Sequence, residues 1–198
     1  MESTLTQLLP LLTYSLVMSS TPGPNNMMLT ASGANFGYRR SLPHILGIAA
    51  GHGPQVGLTC LGLGALFVQF PLLHTALRVA GAAYLLWLAW QLAGSAVGRT
   101  ELARPLSFVQ AVAFQMVNPK GWVKAITVAS VFMPPGMSVA MGSLVVTGVS
   151  IAINLPCISM WTLFGVAIRR WLTDPRRQRA FNVIMAASLF ALALTLVA

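Results

Sequence analysis

Two lysines stand four residues apart in an apolar stretch of this 198-residue chain, Lys120 and Lys124. Lys120 lies 16 residues after Arg104 and 14 before Pro134, so on a helix it falls near the middle of its run. Lys124 is one turn further along the same face. A lysine at the centre of a membrane helix costs roughly 2.5–3.5 kcal/mol on insertion scales, so it usually faces a wet cavity and marks a pathway. The chain has three acids, Glu2, Glu101 and Asp174, and none lies within an apolar run to pair with either lysine. Lys120 therefore reads as a receptor for an anionic group, or else as a structural partner of backbone carbonyls. Lys124 could equally snorkel to the interface. His52, in Gly51-His52-Gly53-Pro54, can carry a proton near neutral pH; a neutral, hydrogen-bonded core histidine is the alternative. Cys60 and Cys157 are far apart and form no Cys-x-x-Cys pair, so they read as small buried residues rather than a redox or metal site. There is no Walker loop, no His-Glu-x-x-His, no Ser–His–acid set and no pair of intramembrane carboxylates. The expectation is no enzyme, no cofactor and no metal.

The second group with chemical potential is the set of prolines and asparagines inside apolar runs. Thr21-Pro22-Gly23-Pro24-Asn25-Asn26 and Asn118-Pro119-Lys120 each interrupt one run; Gly53-Pro54 and Leu155-Pro156 interrupt two others. Proline lacks an N–H and its ring clashes with the carbonyl four residues earlier. The carbonyls so freed must find partners, since lipid offers none. Asn118-Pro119 reads as a helix restart, with Asn as N-cap and Pro at the first helical position. Asn25 and Asn26 are candidate caps for a restart at Pro24. A helix that begins at mid-depth points a partial positive charge into the cavity and suits a carboxylate.

The elements that must hold these residues follow from composition. Of all residues 56% are hydrophobic and 8% charged, against about 25% charged in soluble domains. The apolar residues form six runs: about Leu5 to Gly33, Pro43 to Gln69, Leu72 to Ala93, Ser107 to Met133, Met137 to Ile168 and Ala180 to Val197. About 20 residues cross a bilayer as a helix, so the pattern predicts an all-α membrane protein of six transmembrane helices. Pro71 and Pro134-Pro135-Gly136 mark turns. The last run, at about 1.5 Å per residue, barely spans. Most of the basic residues behind the formal charge of +9 sit at run ends, which argues against nucleic acid and for lipid. The first, third and fifth connections carry the arginines, so these are expected to be cytoplasmic, with both termini on the outer side. The N-terminus lacks the pattern of a cleaved signal peptide.

With that orientation the two triplets of helices are oppositely inserted. Proline breaks occur in the first and second helix of each, 32 residues apart from Pro22 to Pro54 and 37 apart from Pro119 to Pro156. Matched breaks in two inverted halves point to a secondary transporter. The expected organisation is one transmembrane domain over 1–198, with repeat 1 about 1–95, repeat 2 about 105–198, and Pro-broken helices 1 and 4. Four kinks aligned by chance are the competing explanation. Small residues at Gly57 and Leu61-Gly62-Leu63-Gly64 permit close packing, within the chain or in a homodimer.

The Thr21–Asn26 segment resembles the signature of the LysE/RhtB family of amino-acid exporters. Gly37, Gly47 and Gly51, then Gly81-Ala82-Ala83-Tyr84-Leu85 with Trp87-Leu88-Ala89-Trp90, and Asn118-Pro119-Lys120, are similar to the patterns that follow it, in order. Arg104-Pro105-Leu106-Ser107-Phe108 and Phe114-Gln115-Met116-Val117-Asn118 resemble the cysteine/O-acetylserine exporter type. The resemblance implies export of amino acids from the bacterial cytoplasm across the inner membrane by proton antiport. The expected substrate site is Pro22, Gly23, Pro24, Asn25, Asn26, Asn118, Pro119 and Lys120, with His52, Gly53, Pro54, Lys124 and Pro156 in coupling or gating. Gly51, Gly53 and Pro54 are candidate hinges. The absence of intramembrane acids disfavours cationic substrates. A passive channel and a non-transporting assembly subunit remain the other readings of the same residues.

Overall fold

The structure, a computed structural model, describes residues 4–63, 69–94, 105–172 and 174–197. These form eight α-helices and one π-helical turn, with no strand among the described residues. The polar segment with Arg99, Glu101 and Arg104 lies outside them, as do Glu2 and the side chains of His74 and Arg78.

Helix α1 (Thr4–Ser20) stops at Thr21, and α2 (Pro24–Phe36) restarts after Gly23. Helix α5 (Phe108–Val117) stops at Asn118, and α6 (Pro119–Val131) restarts directly. The two breaks have one cause. A residue before proline is pushed out of the helical region by the proline ring. Gly23 (φ −177°, ψ 176°) and Asn118 (φ −76°, ψ 109°) are both extended, and each is followed by a proline that opens a 13-residue helix. Helices 1 and 4 of the sequence reading are thus broken at Pro24 and Pro119.

Pro54 and Pro156 behave differently from expectation. Helix α3 (Tyr38–Leu58) runs through Pro54, and α7 (Val139–Arg169) runs 31 residues through Pro156. Single prolines are tolerated in such helices where neighbours re-satisfy the freed groups. The real distortion of the second run comes later, in the π-helical turn Thr59–Leu63, where Gly62 has φ 114°. Among the described residues α7 is the one unbroken helix long and apolar enough to cross a membrane. Helix α4 (Pro71–Gly94) matches the third run. Helix α8 (Pro175–Val197) starts five residues before the expected Ala180, because the Asp174 carboxylate accepts from Arg176 N at 2.8 Å and caps it. Its 23 residues reach ~34 Å, which matches the thickness of a bilayer by length alone. Gly37 (φ 84°) turns the chain from α2 into α3 in one residue, and Gly136 (φ 79°) serves the turn before α7; side-chain residues rarely adopt that backbone.

Close helix crossings fix the arrangement. Where α2 crosses α7, a Cβ on Gly33 would overlap the Thr162 carbonyl oxygen, and one on Gly165 would overlap that of Thr30. Where α3 crosses α5, Gly47 meets Phe108 and Ala111, and Gly51 meets the Gln115 side chain. Small residues let membrane helices approach to backbone contact, where dispersion drives association. Helices α4 and α8 pack together through Ala82, Leu85, Ala89, Ala186, Leu189 and Ala193. Gly33→Ala should destabilise the protein by about 1–3 kcal/mol, as overpacking does, read as a lowered Tm in detergent. Gly148→Ala, where a Cβ meets nothing within 4 Å, should leave Tm unchanged or slightly raised.

Candidate functional site

Prolines at 22 and 24 leave the end of α1 with carbonyls that no helical N–H reaches. Three side chains serve them, and Thr21 Oγ1 donates to Met18 O, the carbonyl that Pro22 deprives, at 3.1 Å. Asn26 Nδ2 donates to Ser19 O at 2.9 Å and Thr21 O at 2.8 Å. The Lys120 ammonium donates to Thr21 O at 2.9 Å, Thr21 Oγ1 at 2.8 Å and Pro22 O at 3.1 Å. Asn26 therefore does not cap α2, as the sequence suggested; it closes the preceding helix. Lys120 makes the structural pairing with carbonyls that the sequence left open. Gly23 leaves room for this approach, since a Cβ there would stand 2.9 Å from Lys120 Cδ. At the second break Asn118 does cap: its side chain accepts from Lys120 N at 3.1 Å.

Lys124 does not snorkel. It is 4% exposed, and its Nζ donates to Ser19 Oγ at 2.8 Å, its single hydrogen bond among the described residues. Asn154 Nδ2 reaches the same hydroxyl at 3.3 Å. Lys124, Asn154 and Ser19 border a cavity of about 410 Å³, part of it open to solvent. Both restarts open onto it, through Gly23, Pro24, Asn25 and Asn26 on one side and Asn118, Lys120 and Gly121 on the other. His52 and Gln115 complete the polar wall. Three buried polar atoms of residues that line it have no partner: Asn25 Oδ1, Asn154 Oδ1 and His52 Nε2. Buried polar atoms normally find a partner, so a wall with three free ones and an under-coordinated ammonium suits a ligand that both donates and accepts. An α-amino acid zwitterion does both.

Most of the residues singled out from the sequence lie around one cavity. Pro24, Asn25, Asn26, Asn118, Lys120, Lys124 and His52 converge. Pro22 stands beside the cavity through its carbonyl. Pro119 is buried next to it. A Cβ on Gly53 would stand 3.0 Å from Ile151 Cδ1. Pro54 and Pro156 are exposed and do not line the cavity. Cys60 and Cys157 are both free thiols. Sequence reasoning missed Ser19, Gln55, Gln115 and Asn154. One signal was available: Asn154 precedes Pro156 by two residues, as His52 precedes Pro54, and both face the cavity.

Helices broken by proline around a polar, cationic cavity are the arrangement expected of a membrane transport protein. The family model for LysE type translocators matches residues 16–198, and the chain belongs to that family. It is 34% identical over 179 residues to the cysteine/O-acetylserine efflux protein of Escherichia coli (strain K12), covering 88% of this chain and 89% of that one. The same holds for the protein of that name in Shigella sonnei (strain Ss046). The version from Escherichia coli O1:K1 / APEC is 33% identical over the same span. No solved structure matches.

Removing the lysine that braces the first break should be costly to the fold. Lys120→Met is expected to lower stability by about 1–3 kcal/mol, the range for a lost hydrogen bond to a charged group, read by thermal unfolding in detergent. Equal stability of variant and wild type would refute the bracing role.

Proposed function

We propose that this chain exports amino acids with uncharged side chains from the bacterial cytoplasm across the inner membrane. The observation that carries this reading is Lys124, a buried cation on a cavity shared by both helix restarts, with no acid of its own chain among the described residues beside it. Asp174, the one acid among them, is spent on the cap of α8. A carboxylate from outside the chain is the natural counter-ion, since an unpaired buried charge is expensive. The partial positive ends of α2 and α6 favour the same group. Lys120, Asn118, Pro119, Pro22, Gly23, Pro24 and Asn26 shape that end of the site, with Lys120 holding the first break in place. Cysteine and O-acetylserine, which the relatives are named for exporting, are both α-amino acids without side-chain charge.

The six runs are read as six spans in two inverted triplets. Two equal 13-residue restarts support this. So do His52 and Asn154, placed alike before Pro54 and Pro156 and facing one cavity. Both termini would lie outside, and one triplet would rock against the other near Gly51, Gly53 and Pro54. Proton antiport would supply the driving force, with His52 as the titrating candidate.

In proteoliposomes with an imposed pH gradient the protein should accumulate a labelled neutral amino acid above equilibrium. Equilibration alone would make it a passive channel, and no flux a non-transporting subunit. Lys124→Met is expected to reduce counterflow at least tenfold while the protein inserts normally. Wild-type flux from that variant would sink the carboxylate assignment.

A further inference from the structure

We infer that Gln55 and Gln115 are positioning residues that fix the Asn25 amide so that its oxygen, not its nitrogen, is left for the substrate ammonium. This rests on the exporter reading above and names how that site recognises the second charge of its substrate.

The reasoning begins at the second helix break. In an unbroken helix the Gln115 carbonyl would accept from the N–H of residue 119, and Pro119 has none. The carbonyl accepts instead from Asn118 N at 3.2 Å and from Gln55 Nε2 at 3.3 Å. A carbonyl can only accept, so Gln55 must turn its NH₂ toward it and its Oε1 away. That Oε1 accepts from Gln115 Nε2 at 2.6 Å. The Gln115 amide is then oriented in turn, and its Oε1 accepts from Asn25 Nδ2 at 2.6 Å. Each amide has one donor end and one acceptor end, so polarity set at the carbonyl passes through both glutamines to Asn25. What remains at the end of the relay is Asn25 Oδ1, which has no donor.

The protein is built around this relay. Gln55 is 0% and Gln115 2% exposed. A Cβ on Gly121 would stand 2.5 Å from Gln115 Nε2 and 2.6 Å from Gln55 Oε1, and one on Gly51 would stand 2.8 Å from Gln115 Cβ. Two glycines thus leave the room that the pair of amides occupies. An amide pair of this kind is costly in a membrane interior unless fully bonded. Here every hydrogen-bonding end traced is satisfied except Asn25 Oδ1, on a residue that lines the cavity. A free acceptor beside a site whose other end carries the Lys124 ammonium matches the opposite end of a zwitterion.

The test is counterflow of labelled L-serine in proteoliposomes, competed by unlabelled L-serine or by L-glycerate, which carries a hydroxyl where serine carries its ammonium. In the wild-type protein serine should compete at least tenfold better, the scale of one hydrogen bond to a charged group. Gln115→Leu should bring the two competitors together by weakening serine alone. Should Gln115→Leu fail to insert, Gln55→Leu and Gly121→Ala are expected to shrink the same ratio. The inference is overturned by a wild type that does not discriminate, by variants with an unchanged ratio, or by serine and glycerate weakening together. Absence of any serine counterflow in the wild type would instead defeat the exporter reading itself.

Discussion

Everything in this structure turns on backbone carbonyls that proline has deprived of their helical partners in a place where lipid supplies none. The chain answers by bracing each break with the other. Lys120, at the start of α6, reaches across to the Thr21 and Pro22 carbonyls that end the first half-helix. Asn25, at the start of α2, reaches across to Gln115 near the end of α5. Each restart thus sends one side chain to its opposite break. The two breaks are tied to each other by hydrogen bonds, and a polar cavity lies between them.

That cross-bracing needs helices that approach closely, and the glycines provide it. Gly33 and Gly165 bring α2 against α7, and Gly47 and Gly51 bring α3 against α5. The apolar core is divided accordingly. One cluster lies between α4 and α8, a second around Leu11, Val56 and Val128, and a third around Leu29, Ile45 and Ile158. None fills the space between the breaks. Dispersion and shape hold the frame, while donors and acceptors occupy the middle.

The two lysines then divide the labour of a cationic site. Lys120 has its ammonium on backbone oxygens at the edge of the cavity, where it fixes the break. Lys124 is deeper, holds one hydroxyl, and keeps donors free. A wall with an unsatisfied cation at one place and unsatisfied acceptors at another is suited to a zwitterion. This agrees with membership of the LysE type translocator family.

The sequence by itself determined the helical membrane class, the breaks before Pro24 and Pro119, the Asn118 cap and most residues of the wall. These follow from local rules: run length, the missing N–H of proline and the steric restriction on the residue before it. It could not tell that Pro54 and Pro156 would lie within continuous helices, because a single proline is bridged or not according to what packs beside it. Nor could it rank the lysines. Spacing puts Lys120 and Lys124 on one face, and only the position of Thr21 and Pro22 across the cavity decides which ammonium is spent on carbonyls. The glutamine relay was least legible of all. Gln55 and Gln115 are 60 residues apart, and their meaning lies in the order of donors and acceptors between them. That order exists only once α3, α5 and α2 have been brought together.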